Sequence, residues 1–341
     1  MLVEALIWLK FLFCLGVILF AGTRLARYGD AIAKKTGLGG IWVGLVLLAA
    51  ITSIPELVTG VSSAALVKLP DLAVGTLFGS CMFNLAILAL LDILHRRTPV
   101  LSEVRRRHIA SAGVGILLIA VAAVSIFAGE RLSGLVLGWV GVPSIIILVL
   151  YLVSVWGMFR FERSQPVQRV EAASPQYAEI SMRSVYFRFT LAAIAVIGAG
   201  IWLSFIGDEI GQTYAWDASF VGSLFLAISS SMPELVVSVA ALRLGAIDMA
   251  VADILGSNMF NIAIIFLVDL SFSRGAILSS VSSAHLTTAV VAVVMTLLVI
   301  IGLRFQQKSK TFIVISWYAL ILIGLYIFGA YALFVSGVGL G

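Results

Sequence analysis

ISSSMPELVVSV, running from Ile228 to Val239, sets Pro233 and Glu234 inside one of the most apolar parts of the chain, with hydroxyls at Ser229, Ser230 and Ser231 just ahead. ITSIPELV, Ile51 to Val58, repeats the arrangement with Thr52, Ser53, Pro55 and Glu56. A proline inside a helix removes a backbone donor and disturbs the preceding turn. The setting is a membrane: 61% of the 341 residues are hydrophobic and 11% are charged, where a soluble domain carries about a quarter charged residues. Mean hydropathy is +1.14. A carboxylate at the centre of a bilayer costs roughly 3 kcal/mol, so an intramembrane acid is read first as a functional group.

Working outward from these two stretches, ten segments supply the run of about 20 apolar residues that a spanning helix needs. They are 5–24, 41–67, 72–93, 108–128, 132–158, 187–207, 219–243, 249–270, 284–303 and 311–335. The first has no basic leader and is followed by Arg24 and Arg27, which reads as a retained helix rather than a signal peptide. With the N-terminus outside, the cytoplasmic connections hold 18 lysines and arginines and the outer ones 4. That asymmetry predicts an N-out, C-out protein of the cell membrane, plasma or bacterial inner. The stretch 160–186, with Pro166 and Pro175, reads as a cytoplasmic linker between 1–159 and 187–341. Cys14 and Cys81 lie in apolar runs, so no disulfide framework is expected.

The two stretches belong to a longer repeat. Ile51–Asp92 aligns with Ser229–Asp269. Pro55 and Glu56 fall on Pro233 and Glu234. After a one-residue gap, Asp71, Gly79, Ser80, Met82, Phe83, Asn84 and Asp92 fall on Asp248, Gly256, Ser257, Met259, Phe260, Asn261 and Asp269. The copies occupy predicted helices two and three (41–93) and seven and eight (219–270). An offset of five helices makes them enter the membrane from opposite sides. The fold class expected is therefore all-α, ten transmembrane helices as two inverted five-helix repeats, a design associated with secondary transporters and midplane sites.

Glu56, Glu234 and Asp253 are the acids that hydropathy places inside the membrane, with no Lys or Arg at comparable depth. Protons or a mobile cation must balance them. Thr52 with Glu56, Ser230 with Glu234, Ser80 with Asn84 and Ser257 with Asn261 are each four residues apart, so each pair shares a helix face. Hydroxyls, amide carbonyls and carboxylates are the hard oxygen ligands of Ca2+. The prolines free carbonyls near Ala50–Ser53 and Ile228–Ser231 that can also face an ion. Asp253 runs with Ser257 and Asn261 at i, i+4, i+8 and is read as a third acid on the inward access path. Ser62, Ser63 and Ser238 are assigned to helix packing. His95, His108 and His285 are assigned to interfacial positions, and Asp92 and Asp269 to helix ends at the membrane surface.

The motifs TSIPEL, SSMPEL, FGSCMFN and LGSNMFN resemble the alpha repeats of the cation/calcium exchanger superfamily, which includes sodium/calcium and proton/calcium exchangers. The segment GDAIAKKTGLGGIWVGLVLLAAITSIPEL is similar to the lead-in of prokaryotic members. The resemblance implies an antiporter that alternates access around a central four-helix site, with helices one and six as the moving gates. It implies Thr52, Ser53, Glu56, Ser80 and Asn84, with Ser230, Ser231, Glu234, Ser257 and Asn261, as the ion ligands. Departures are Ser230 for the more usual Thr, Cys81 where the family's GSN motif has Asn, and Asp253 ahead of the second motif. The softer sulfur of Cys81 is expected to alter ion preference.

The function expected is exchange of Ca2+ for Na+ or H+, with another cation such as Mg2+, Na+ or K+ as the alternative cargo and a cation channel as a further one. An intramembrane enzyme is not expected: there is no HExxH and no Ser–His pair within a membrane segment. No cofactor is expected, and the partners are the transported cations and the lipid bilayer, with no nucleic acid and no obligate protein partner.

Overall fold

The computed structural model describes residues 2–35, 48–96, 98–163, 181–312 and 314–338. The helices are α1 (Leu2–Lys35), α2 (Ile54–Val67), α3 (Pro70–Leu94), α4 (His108–Ala128), α5 (Val142–Arg163), α6 (Met182–Tyr214), α7 (Ala218–Ser230), α8 (Met232–Arg243), α9 (Ile247–Ser271), α10 (His285–Phe305) and α11 (Trp317–Val338). Among the described residues, eight are long and apolar enough to cross a membrane, and a ninth span results if α7 and α8, bent by 44° at their junction, are taken together. The chain is an α-helical, multi-pass membrane protein. α2 is shorter. Residues 48–52 are helical ahead of it, and the first part of the predicted segment 41–67 lies outside the described residues. So does most of the expected linker, 164–180.

One predicted helix starts late. Residues 132–141, expected to open the fifth span, instead hold a small antiparallel hairpin, β1 (Val136–Leu137) paired with β2 (Val140–Gly141). The cause is the two-residue turn Gly138–Trp139. Gly138 takes φ +69°, open to glycine without steric cost and typical of a tight hairpin turn. Hydropathy alone cannot separate such an apolar hairpin from a helix.

α3 and α9, the second members of the two sequence repeats, form the middle of the molecule. In their apolar stretches 72% and 78% of residues are buried, against 17% for α5 and 22% for α11. The outer helices turn leucines, phenylalanines and tryptophans outward, including Phe13, Phe127, Trp156 and Phe187, which lipid solvates without penalty. α1 packs along α6, and a groove of about 720 Å3 between them is lined by Leu12, Phe13, Val17 and Leu191, with Arg24 and Arg188.

Small residues let α3 approach α7 to backbone contact. A Cβ on Gly79 would lie 2.2 Å from the Ser223 carbonyl oxygen, and one on Gly222 would lie 2.5 Å from that of Leu72. Close approach through small residues is how membrane helices gain packing energy, since lipid removes the hydrophobic drive. Each signature pair also contains a π-helical turn, at Ser63–Val67 and Gly222–Leu226.

Four aspartates fix the ends of α3 and α9. Asp71, at the start of α3, accepts hydrogen bonds from the Ser282 N–H (2.6 Å) and from His285 Nε2 (3.0 Å). Its counterpart Asp248, at the start of α9, accepts from the Arg105 N–H (2.9 Å), Arg107 Nη2 (2.9 Å) and His108 Nε2 (3.1 Å). Asp92 accepts from the Val100 and Ser316 N–H groups, Ser316 Oγ and the Tyr318 hydroxyl. Asp269 accepts from the Gly141 and Ile277 N–H groups and Ser144 Oγ. Asp92 and Asp269 were expected at the membrane surface; both are buried. His108 and His285, the first residues of α4 and α10, are buried partners of Asp248 and Asp71. The reason is that an aspartate at a helix end can satisfy the donors of the loop that follows, which draws that loop over it.

Candidate functional site

The helix containing residues 48–52 and α2 meet at Ser53, whose φ −86°, ψ 12° departs from helical values. α7 and α8 meet at Ser231 with nearly the same backbone, φ −84°, ψ 13°. The cause in both repeats is the proline two residues on. Pro55 and Pro233 have no N–H for the carbonyls four residues back, those of Ile51 and Ser229, and each sits in the first turn of a new helix, where the lost donor costs nothing. Glu56 and Glu234 follow directly, at helix N-termini whose dipoles favour negative charge.

The two breaks face each other. Ser231 Oγ donates to Glu56 Oε1 at 2.6 Å, and Ser53 Oγ donates to Glu234 Oε1 at 3.0 Å. Each repeat's hydroxyl thus serves the other's carboxylate. Ser80 Oγ reaches Glu56 Oε1 at 3.5 Å, and Thr52 Oγ1 lies 3.5 Å from Ser257 Oγ. Thr52 and Ser230 also bond back to the carbonyls of Ala49 (3.1 Å) and Ala227 (3.3 Å). All ten residues named from the sequence, Thr52, Ser53, Glu56, Ser80, Asn84, Ser230, Ser231, Glu234, Ser257 and Asn261, have no exposed surface.

Several of their polar atoms have no hydrogen-bond partner. These are the second carboxylate oxygens Glu56 Oε2 and Glu234 Oε2 and the amide oxygens and nitrogens of Asn84 and Asn261. Asp253, also buried, has both carboxylate oxygens unpartnered. Native interiors leave few polar groups unpaired, and each such group calls for an explanation. Among the described residues, neither Glu56 nor Glu234 forms an ion pair. Nor do the described residues hold a cluster of three or more His, Cys, Asp or Glu suited to a metal ion. The site offers two carboxylates and a set of neutral oxygens. That donor set suits a hard cation bound by many oxygens, and not a soft transition metal.

One contact went unforeseen. Cys81 Sγ donates to the Asn258 carbonyl at 3.6 Å, and Asn258 Nδ2 donates to the Cys81 carbonyl at 3.1 Å. The two positions are equivalent in the repeat alignment, so the signal was present as a common offset. Cys81 therefore has a role at the crossing of α3 and α9. Ser238, assigned to helix packing, has an unpartnered Oγ, as does Ser63.

A family model described as "Sodium/calcium exchanger protein" matches residues 6–159 and 184–337. The inner membrane protein YrbG of Escherichia coli (strain K12) is 28% identical over 256 residues, covering 73% of this chain and 74% of YrbG. Sodium/potassium/calcium exchanger 2 of Gallus gallus is 30% identical over 149 residues, 38% of this chain and 22% of that protein. Among solved structures, the sodium-calcium exchanger NCX_Mj superposes with a TM-score of 0.63 at 20% identity, covering 96% of this chain and 98% of that one; the fold is shared.

Proposed function

Since the chain belongs to the sodium/calcium exchanger protein family, a family of membrane transporters and not of enzymes, we propose that it is a secondary antiporter exporting Ca2+ in exchange for Na+ or H+. The reading is supported above all by the crosswise pair Ser231–Glu56 and Ser53–Glu234, which joins two buried carboxylates that have no cationic partner among the described residues. Glu56 and Glu234 supply the charge. Thr52, Ser53, Ser80, Asn84, Ser230, Ser231, Ser257 and Asn261 supply the oxygen shell, with the carbonyls freed by Pro55 and Pro233. The cargo is a cation, and no resident cofactor is required.

Two carboxylates are balanced by one Ca2+, by several Na+ ions in adjacent subsites, or by two protons. An unbalanced pair is costly to carry through an apolar barrier, at about 3 kcal/mol for each charge at the bilayer centre. The site therefore changes sides only when loaded, and competition for the same carboxylates makes exchange obligatory. In this reading the chain has ten spans in two inverted halves, 1–159 and 187–341, with both termini outside, in the inner membrane as YrbG is named. α1 and α6, which pack together at the periphery, move across the core formed by the signature helices.

The test is uptake of radioactive Ca2+ into proteoliposomes driven in parallel by an outward Na+ gradient and an outward H+ gradient. Uptake with one of them, abolished by Glu56→Gln/Glu234→Gln, is the expected result and names the coupling ion. No uptake with either, from folded protein, overturns Ca2+ exchange and directs the same assay to other cations.

A further inference from the structure

The two halves of the site are not equivalent on their outer flanks. Ser238 stands one helical turn beyond Glu234 on α8, and Asp253 stands one turn before Ser257 on α9, on the same face as Ser257 and Asn261. The helices are antiparallel and joined by the short turn 244–246. Ser238 lies five residues before the last residue of α8, and Asp253 six after the first residue of α9. At 1.5 Å per residue, both lie about 8 Å from the turn, whereas Glu234 and Ser257 lie about 14 Å from it. Asp253 and Ser238 are thus level with one another, one turn nearer that face than the central carboxylates.

Asp253 is 1% exposed and Ser238 0%. Both Asp253 carboxylate oxygens and Ser238 Oγ lack a hydrogen-bond partner.

The equivalent positions in the first repeat are closed. Thr76 stands in place of Asp253, and its hydroxyl is satisfied within its own helix by the Leu72 carbonyl at 2.8 Å. Gly60 stands in place of Ser238, where a Cβ would lie 3.2 Å from Val268 Cγ2. The flank that carries the α8–α9 turn therefore offers a carboxylate beside its hydroxyl, while the corresponding flank of the first repeat, whose unpartnered hydroxyls are Thr59 and Ser63, offers no carboxylate at that depth among the described residues. A buried carboxylate with no donor is unfavourable unless a positive charge joins it.

We propose that Asp253 and Ser238 form a second divalent-cation subsite, a way-station between the central carboxylates and the face of the protein that carries the α8–α9 turn. It rests on the reading of Glu56 and Glu234 as the central cation site. A cation held at Asp253 is drawn onward by the charge of Glu234, one turn deeper. Access from the opposite face has no such step.

The test is sided transport. Initial rates of Ca2+ exchange are measured in right-side-out and inside-out membrane vesicles for wild type, Asp253→Asn, Ser238→Ala and Glu56→Gln/Glu234→Gln. For Asp253→Asn, the half-saturating Ca2+ concentration rises about tenfold on the α8–α9 face, equivalent to about 1.4 kcal/mol, and stays within about twofold on the other. Ser238→Ala gives a smaller change with the same sidedness, and carries the test if Asp253→Asn fails to accumulate in the membrane. Unchanged half-saturation on both faces, or an equal change on both, overturns the subsite and leaves the central site standing. Transport that survives in the double glutamine variant overturns the central reading and this inference with it.

Discussion

Removing Ser53 and Ser231 one at a time tests whether the crosswise hydrogen bonds hold the carboxylates in place. A hydrogen bond to a charged group contributes about 1.5–3 kcal/mol, and each 1.4 kcal/mol is tenfold in an equilibrium constant. Loss of one such bond therefore weakens cation binding by roughly 10- to 150-fold. The surroundings decide where each variant falls. Glu56 Oε1 receives Ser231 at 2.6 Å and also Ser80 at 3.5 Å, so in Ser231→Ala the Ser80 hydroxyl can close in and recover part of the loss. Among the described residues, Glu234 Oε1 receives Ser53 at 3.0 Å, and Oε2 has no donor. Ser53→Ala leaves that carboxylate without a side-chain donor. The expected order is thus Ser53→Ala near the upper end of the range and Ser231→Ala near the lower, although the Ser231 bond is the shorter. Titration calorimetry of Ca2+ binding to purified protein reads both constants directly. Affinities within about twofold of wild type for both variants would refute the reasoning.

Gly79→Ala forces a Cβ to within 2.2 Å of the Ser223 carbonyl oxygen and is expected to destabilise by at least the roughly 1–3 kcal/mol of ordinary overpacking; thermal melting in detergent should show it, with Gly113→Ala, which meets nothing within 4 Å, as the unaffected comparison. Asp269→Ala leaves the Gly141 and Ile277 N–H groups and the Ser144 hydroxyl without their acceptor, at about 1–3 kcal/mol per unsatisfied buried donor, so the same melting assay should show a loss larger than that of Gly79→Ala. Cys81→Ser keeps a donor facing the Asn258 carbonyl and should retain Ca2+ affinity within about twofold in calorimetry, whereas a larger fall would return the sulfur to the ion path.

Much of the design is legible in one dimension. Hydropathy finds helices because lipid demands a long apolar surface, and α3, α4, α9 and α10 begin within two residues of their expected starts. The repeated PEL motif marks the broken helices because proline's missing N–H is a covalent fact. The repeat alignment, with its one-residue gap, pairs Glu56 with Glu234 and Ser80 with Ser257 before any coordinates exist. Hydropathy fails at 132–141, where Gly138 turns an apolar run into a hairpin, since apolar content does not encode backbone handedness.

What lies across from each polar side chain was decided only by tertiary structure. From spacing alone, Glu56 is grouped with Thr52 on its own helix; in the fold its shortest hydrogen bond comes from Ser231 of the other repeat. Asp92 and Asp269 read as membrane-edge charges, yet each is buried under the loop whose N–H groups it accepts. The equivalence of Cys81 and Asn258 was visible, but not that they touch. A sequence fixes which residues share a helix face, because 3.6 residues make a turn. The rotation of one helix against its neighbour is set by summed packing of small and large side chains, such as Gly79 against Ser223, and that sum exists only once the helices meet.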